Sequence, residues 1–120
     1  MYDRNIKLAL EKCRHLIISN KSSDTTFESN NSKIERCTMV KDLGINISSS
    51  LKWKGHIDIV RRRAFQRCYL IFCGFSSKNI WIYIKAYKIY VRTILEYNSC
   101  VWNPTLIEDV KKLESVQKYF

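Results

Sequence analysis

The stretch "VKDLGINISSSLKW", Val40 to Trp53, constrains the fold more than any other part of the chain, because its hydrophobic period changes in the middle. Val40 to Ile47 alternates in the manner of a strand, with Leu43, Ile45 and Ile47 on one face and Gly44, Asn46 and Ser48 on the other. Three serines come next. From Trp53 the apolar residues recur at helical spacing: Trp53, Ile57, Val60, Ala64, Cys68 and Ile71 form one stripe. Arg61, Arg62, Arg63 and Arg67 lie largely off that stripe. A chain that hands a strand directly to a long basic helix must be an α+β protein with a boundary near Ser48 to Ser50. The expected division is a part of short antiparallel strands over residues 1–50 and a helical part over residues 51–120.

Before the boundary, "KCRHLIIS" alternates as a strand would, with Cys13, His15 and Ile17 opposite Arg14, Leu16 and Ile18. "NKSSDTTFESNNSK" reads as a polar loop with a turn at "NNS", and Ile34 to Thr38 as a short strand. Gly44 inside a strand marks a bulge or a close approach by another backbone or a ligand. Beyond the boundary, a serine among residues 48–50 is expected to lead into the first helix. Gly74 ends it. Ser76 or Ser77 is placed to cap a second helix over Lys78 to Tyr97, with Ile80, Ile84, Tyr87, Val91 and Ile94 inward. Tyr83, Tyr90 and Tyr97 flank that stripe among Lys88 and Arg92; such tyrosines stack on bases or simply pack with a wet hydroxyl. "WNP" breaks the chain. Thr105 and Glu108 then have the spacing of a capping box for a third helix, with Leu106, Val110, Leu113, Val116 and Phe120 inward. That apolar period is unfinished at Phe120, as in a truncated chain.

Charge is distributed unevenly. Of a net +10 in 120 residues, the 42 residues from Leu51 to Arg92 carry +9, from ten basic residues against the single acid Asp58. Such a concentration points to a polyanion, nucleic acid before an anionic membrane surface. A solvated basic face without a partner is the plainer alternative. No apolar run approaches the roughly 20 residues of a membrane span. Five cysteines, an odd number at irregular spacing and without a secretory signal, suit reduced thiols in an intracellular protein, nuclear or cytoplasmic and not secreted. They are expected to be buried thiols, since Cys68 and Cys73 lack the spacing of a zinc knuckle.

Catalytic patterns are missing. The one adjacent acidic pair, Glu108 and Asp109, suits the dipole of a helix N-terminus better than metal binding. No glycine-rich phosphate loop, H-E-x-x-H or G-x-S-x-G is found. His56, among lysines at a helix start, is expected at the surface or its boundary.

Four segments carry a resemblance. "VKDLGINISSSLKWKGHI" (Val40 to Ile57), "FSSKNIWIYIKAYKIYVRTILEYNSCVWNP" (Phe75 to Pro104) and "DVKKLESVQKYF" (Asp109 to Phe120) resemble, in this order, the carboxy-terminal part of non-LTR (jockey-like) retrotransposon reverse transcriptases. The family pattern runs K-D-L-G-hydrophobic, S-L-x-W-x-x-H-I, L-E-Y-x-x-x-V-W and L-E-x-V-Q-x-x-F. Here these are Lys41 to Ile45, Ser50 to Ile57, Leu95 to Trp102 and Leu113 to Phe120. "LALEKCRHLIIS" (Leu8 to Ser19) is similar to the family's strand after the catalytic motif. The resemblance covers nearly the whole chain.

It implies that Leu43 and Gly44 belong to the primer-grip hairpin at the end of the palm, and that the helices from Trp53 onward are a three-helix thumb-like bundle. The implied partner is a nucleic-acid duplex, RNA–DNA or DNA, held weakly and without sequence preference, with no membrane and no small-molecule substrate. Arg61, Arg62, Arg63, Arg67, Lys85, Lys88 and Arg92 are the phosphate-contact candidates. The family's x-Asp-Asp turn, which holds magnesium in the intact enzyme, does not occur here: "MYDRN" offers Tyr2 and Asp3 alone, too near the strand. The expectation is therefore a polymerase fragment without cofactor or catalysis of its own. The competing expectation is a domesticated protein-interaction module with an incidental basic face.

Overall fold

The computed structural model describes residues 9–18, 26–29 and 32–120. The fold is α+β, strands first and helices after, in two compact units that divide between Lys52 and Trp53.

In the first unit a 3-10 turn at Leu10–Lys12 precedes β1 (His15–Leu16), followed by β2 (Glu28–Ser29), β3 (Ser32–Lys33), β4 (Arg36–Cys37), β5 (Met39–Asp42) and β6 (Ile45–Ser48). The strand expected over "KCRHLIIS" is thus reduced to two residues, because Lys12 N–H and Cys13 N–H turn back onto the carbonyls of Ala9 and Leu10. β1 pairs with β4 in parallel, a departure from the antiparallel pairing expected. The His15 amide donates to the Glu35 carbonyl, and Arg14 meets the Glu35 carboxylate at 2.6 Å. β2 and β3 pair antiparallel. The turn expected at "NNS" falls largely outside the described residues.

Val40 to Ile47 is two strands rather than one. β5 and β6 form an antiparallel hairpin in which Val40 faces Ile47 and Asp42 faces Ile45. The two-residue turn is Leu43-Gly44, with φ of 45° and 85°. Positive φ at both central positions gives the type I′ twist that matches two paired strands. Gly44 therefore marks a turn, not a bulge, since it lacks the Cβ that makes positive φ costly. Leu43 occupies the same region as a leucine and is 77% exposed at the tip. Ile45 is the buried residue of the hairpin. A second turn closes at Leu51, whose N–H donates to the Ser48 carbonyl, while Ser48 Oγ donates to the Lys52 carbonyl. The serines thus shape the exit from the hairpin and do not cap the helix.

The second unit is built on α1 (Lys54–Gly74), whose backbone begins at Trp53 without a side-chain cap. Ile57, Val60, Ala64, Cys68 and Ile71 are buried along it, the apolar stripe of the sequence. α2 (Ile80–Ala86) starts on Asn79, whose side chain accepts from the Trp81 amide; Ser77 Oγ accepts in turn from the Asn79 amide. Neither serine is the cap. Asn79 wins because its oxygen reaches the orphan N–H of the second helical residue. A five-residue π turn, Tyr87–Val91, leads without a break into α3 (Arg92–Glu96). The extra residue of that turn changes the angular phase of the helix beyond it, so buried Val91 follows buried Ala86 at an interval of five; Ile80, before the turn, is exposed.

α4 (Ser99–Trp102) comes after left-handed Asn98, and its Trp102 is buried with Nε1 donating to the Tyr97 carbonyl at 2.8 Å. After Pro104 comes α5 (Ile107–Tyr119). Its N-cap is Leu106 with no side-chain bond, so the Thr105–Glu108 capping box does not form. Local capping yields to the packing that turns Asp109 and Val116 inward, and Leu106 is left exposed. The core of this unit joins Ala64, Cys68 and Ile71 of α1, Ala86, Val91 and Val116, with Phe65, Tyr83, Tyr87, Leu95 and Phe120 packed around them.

Candidate nucleic-acid interface

The basic side chains are placed by α1 and by the α2–π–α3 helix, and tertiary contacts sort them into two classes. Arg61 points across to α5: its Nε donates to Ser115 Oγ at 3.2 Å and its guanidinium lies 5.2 Å from the centre of the Phe65 ring. Ser115 in turn donates to the Lys112 carbonyl. One turn earlier, Asp58 receives the Lys112 ammonium at 2.9 Å, and buried Asp109 shares it at 3.5 Å. Those bonds, the Asp58 hydrogen bond first, raise the Lys112 pKa. Arg61 is thus half-buried in the α1–α5 seam, unlike the other arginines expected at phosphates.

Arg62, Arg63 and Arg67 are exposed. Arg63 and Arg67 stand one turn apart on one face of α1; Arg62 projects from another. On the second helix Lys85, Lys88 and Arg92 are exposed; Lys85 and Lys88, three residues apart, share a side, whereas Arg92 lies beyond the π turn. Arg92 is held by Glu96, Nε to carboxylate 2.6 Å, and that hydrogen bond raises its pKa. Lys88 and Arg92 also line a groove with Tyr87, Leu95, Glu96, Leu113, Glu114 and Gln117, so positive charge there meets two carboxylates. Leu43 and Gly44 belong to the other unit, at the hairpin turn.

Several features escaped the sequence. His56 is 4% exposed, not superficial, and its ring sits edge-on to Trp102 at 5.2 Å and to Trp53 at 6.4 Å. Burial first, and the charge of Arg63 second, lower its pKa. The expectation of buried thiols holds for Cys68, whose pKa burial raises, whereas Cys73 and Cys100 are exposed and Cys13 and Cys37 half-buried. An aromatic group that the periodicity gave no reason to join links Phe65 and Phe72 to Tyr119, and Phe72 and Tyr87 to Phe120. Trp81 is 66% exposed, one turn before Lys85. Its spacing to the lysines was legible, but nothing local says which face of the helix is turned outward.

Among the described residues no group of three metal-ligating side chains comes together, and no helix is long and apolar enough to cross a membrane.

In comparison with known proteins, the chain is 33% identical over 88 residues to an uncharacterized protein of Caenorhabditis elegans. The match takes in 73% of this chain and 44% of that protein, so the chain spans less than half of its relative's length. No family model matches the chain, and no solved structure matches it.

Proposed function

We propose that this chain is the end-of-palm and thumb part of a non-LTR retrotransposon reverse transcriptase, acting inside the cell as a nonspecific, catalytically inert holder of nucleic-acid duplex. The observation that carries this reading is the exposed basic charge of the helical unit: from Ile59 to Leu95 there is no carboxylate, while Arg62, Arg63, Arg67, Lys85 and Lys88 stand exposed. The order of a two-residue hairpin turn at Leu43-Gly44, a turn through the serines and a long basic helix supports the likeness to a grip followed by a thumb. In this reading Leu43, exposed at the tip, contacts the strand end, and the arginines contact phosphates. The partner is RNA–DNA or DNA duplex. Magnesium would belong to a palm carrying the x-Asp-Asp turn.

Phosphate binding by lysine and arginine releases condensed counterions, so affinity falls with salt. Three or four contacts give a slope of log K against log salt of about −3. The Arg63→Gln, Arg67→Gln double variant is expected to weaken duplex binding for all sequences alike and to make the slope shallower by about 2. A salt titration by fluorescence anisotropy measures both. A flat titration, or no binding at low salt, would remove the reading.

A second reading, a protein-interaction module, is favoured by one feature: an open apolar depression on α1 and α5 lined by Phe65, Gln66, Tyr69, Leu70 and Tyr119. A partner retained in pull-downs after nuclease treatment, and lost with Leu70→Glu, would support it.

A further inference from the structure

The outward face of the second helix carries more than charge. Trp81, Lys85 and Lys88 recur at i, i+4 and i+7, the spacing of a single helical stripe as far as the π turn, and all three are exposed. Trp81 stands at the head of this line. Phosphate contact alone gives no use for an indole there, since a buried ring lowers the free energy and an exposed one does not. The chain has two other tryptophans, and both are taken into the fold: Trp102 is 1% exposed, and Trp53 is half-buried with its ring against His56. Among the described residues, Trp81 has no such ring partner within its unit.

We propose that Trp81 is a base-stacking platform at the end of a basic track, and that the ligand of this face is single-stranded nucleic acid. The reason is complementarity. A duplex presents phosphates outward and keeps its bases stacked within, so it offers Lys85 and Lys88 their contacts but leaves the indole nothing to stack on. An unpaired strand offers both, because every base has an exposed π-face. Sequence-independent binders of single strands combine these two elements, a positive groove along the backbone and aromatic rings under successive bases. Here the ring and the first lysine are one helical turn apart, about 6 Å along the axis. That lets one nucleotide place its base on Trp81 and pass its neighbouring phosphates to Lys85 and Lys88. No acidic side chain lies between Ile59 and Leu95 in the chain, and the carboxylates of Glu96 and Glu114 meet the track only at its far end, in the groove with Lys88 and Arg92. The inference rests on the nucleic-acid reading above and changes its ligand at this face from paired to unpaired strand.

The test compares a deoxythymidine oligonucleotide with a blunt duplex of equal phosphate number, both bound to the full chain at low salt. The readout is anisotropy of the labelled nucleic acid together with tryptophan emission of the protein. The single strand is expected to bind more tightly and to quench emission, and the quenching is expected to vanish in Trp81→Phe. Trp81→Ala is expected to weaken single-strand binding by roughly 5- to 100-fold and to leave duplex binding within about twofold. Lys85→Gln with Lys88→Gln is expected to weaken both ligands. Circular dichroism controls for folding, and a substitution at so exposed a site leaves the core untouched. If the duplex binds as tightly as the single strand, or Trp81→Ala leaves the single strand unaffected, the stacking platform is wrong while the electrostatic reading stands. If neither ligand binds, both fall. Partition of the chain into anionic vesicles, blocked by Trp81→Ala and without any oligonucleotide binding, would overturn the proposal in favour of a lipid surface.

Discussion

His56 is a polar ring in an apolar setting, and that gives it a thermodynamic signature. Its pKa in the folded protein is lowered by burial and by Arg63 from the ordinary value of 6.5. Below that value the unfolded chain therefore binds more protons than the folded one. Its contribution to stability is complete above pH 6.5 and is lost as pH falls through and beneath that value toward the lowered pKa. Urea unfolding at pH 8 and pH 5.5 is expected to show a lower midpoint at the acid end. His56→Phe keeps an aromatic ring between Trp53 and Trp102 and is expected to remove that part of the pH dependence. An unchanged difference between the two pH values in the variant would show that other groups are responsible. The neighbouring lysines in the sequence advertise a surface position. The ring of Trp102, 46 residues away in the chain, is part of what makes His56 an interior residue, and that contact is not legible locally.

At the scale of elements, the α1–α5 seam is held by polar links laid over an apolar floor. Lys112 reaches Asp58 on one helix and Asp109 on its own, and Arg61 reaches Ser115 one turn further along. The two carboxylates are unequal: Asp109 is buried, Asp58 half-buried. Losing an exposed ion pair changes little, whereas a buried charge deprived of its partner keeps its desolvation cost. Lys112→Met is therefore expected to lower the melting temperature more than Asp58→Asn does. Adding Asp109→Leu to Lys112→Met should recover much of the loss, which thermal unfolding of the three variants checks. A loss in Asp58→Asn equal to that in Lys112→Met would contradict the account.

The second helix makes a related point. Its extent was legible to within two residues, because Gly74 and "WNP" bound it. Its inward face was not, because one extra residue in the π turn shifts the phase between Ala86 and Val91. Hydrophobic spacing assumes a constant rotation per residue, and a π turn breaks that assumption. Periodicity reads the hairpin, which the resemblance implies, as one strand for a local reason: Leu43-Gly44 lacks the asparagine or aspartate that usually announces a type I′ turn.

For the whole molecule, the division at Lys52 and Trp53 predicts separable behaviour. The core cluster of the helical unit is drawn from residues 64–120 alone. A fragment of residues 53–120 is expected to keep helical circular dichroism and to unfold cooperatively, with the salt-dependent binding of the full chain. Loss of helicity in that fragment would show that the strands are needed to fold it. The exposed Tyr69, Leu70 and Phe72 of α1 are expected to make it associate as concentration rises.

The sequence by itself determined the class of the fold, the buried stripe of α1 and the basic stretch from Leu51 to Arg92. These come from local periodicity, composition and chain order, which need no partner to be read. Tertiary structure alone decided which cations remain available. Arg61 is occupied by Ser115 of α5, while Arg63, Arg67, Lys85 and Lys88 are left facing outward; the pairing of Arg92 with Glu96, four residues on, is by contrast local. The same holds for burying His56 and exposing Trp81. Whether a side chain faces water depends on what packs against its helix, and that partner lies far away in sequence.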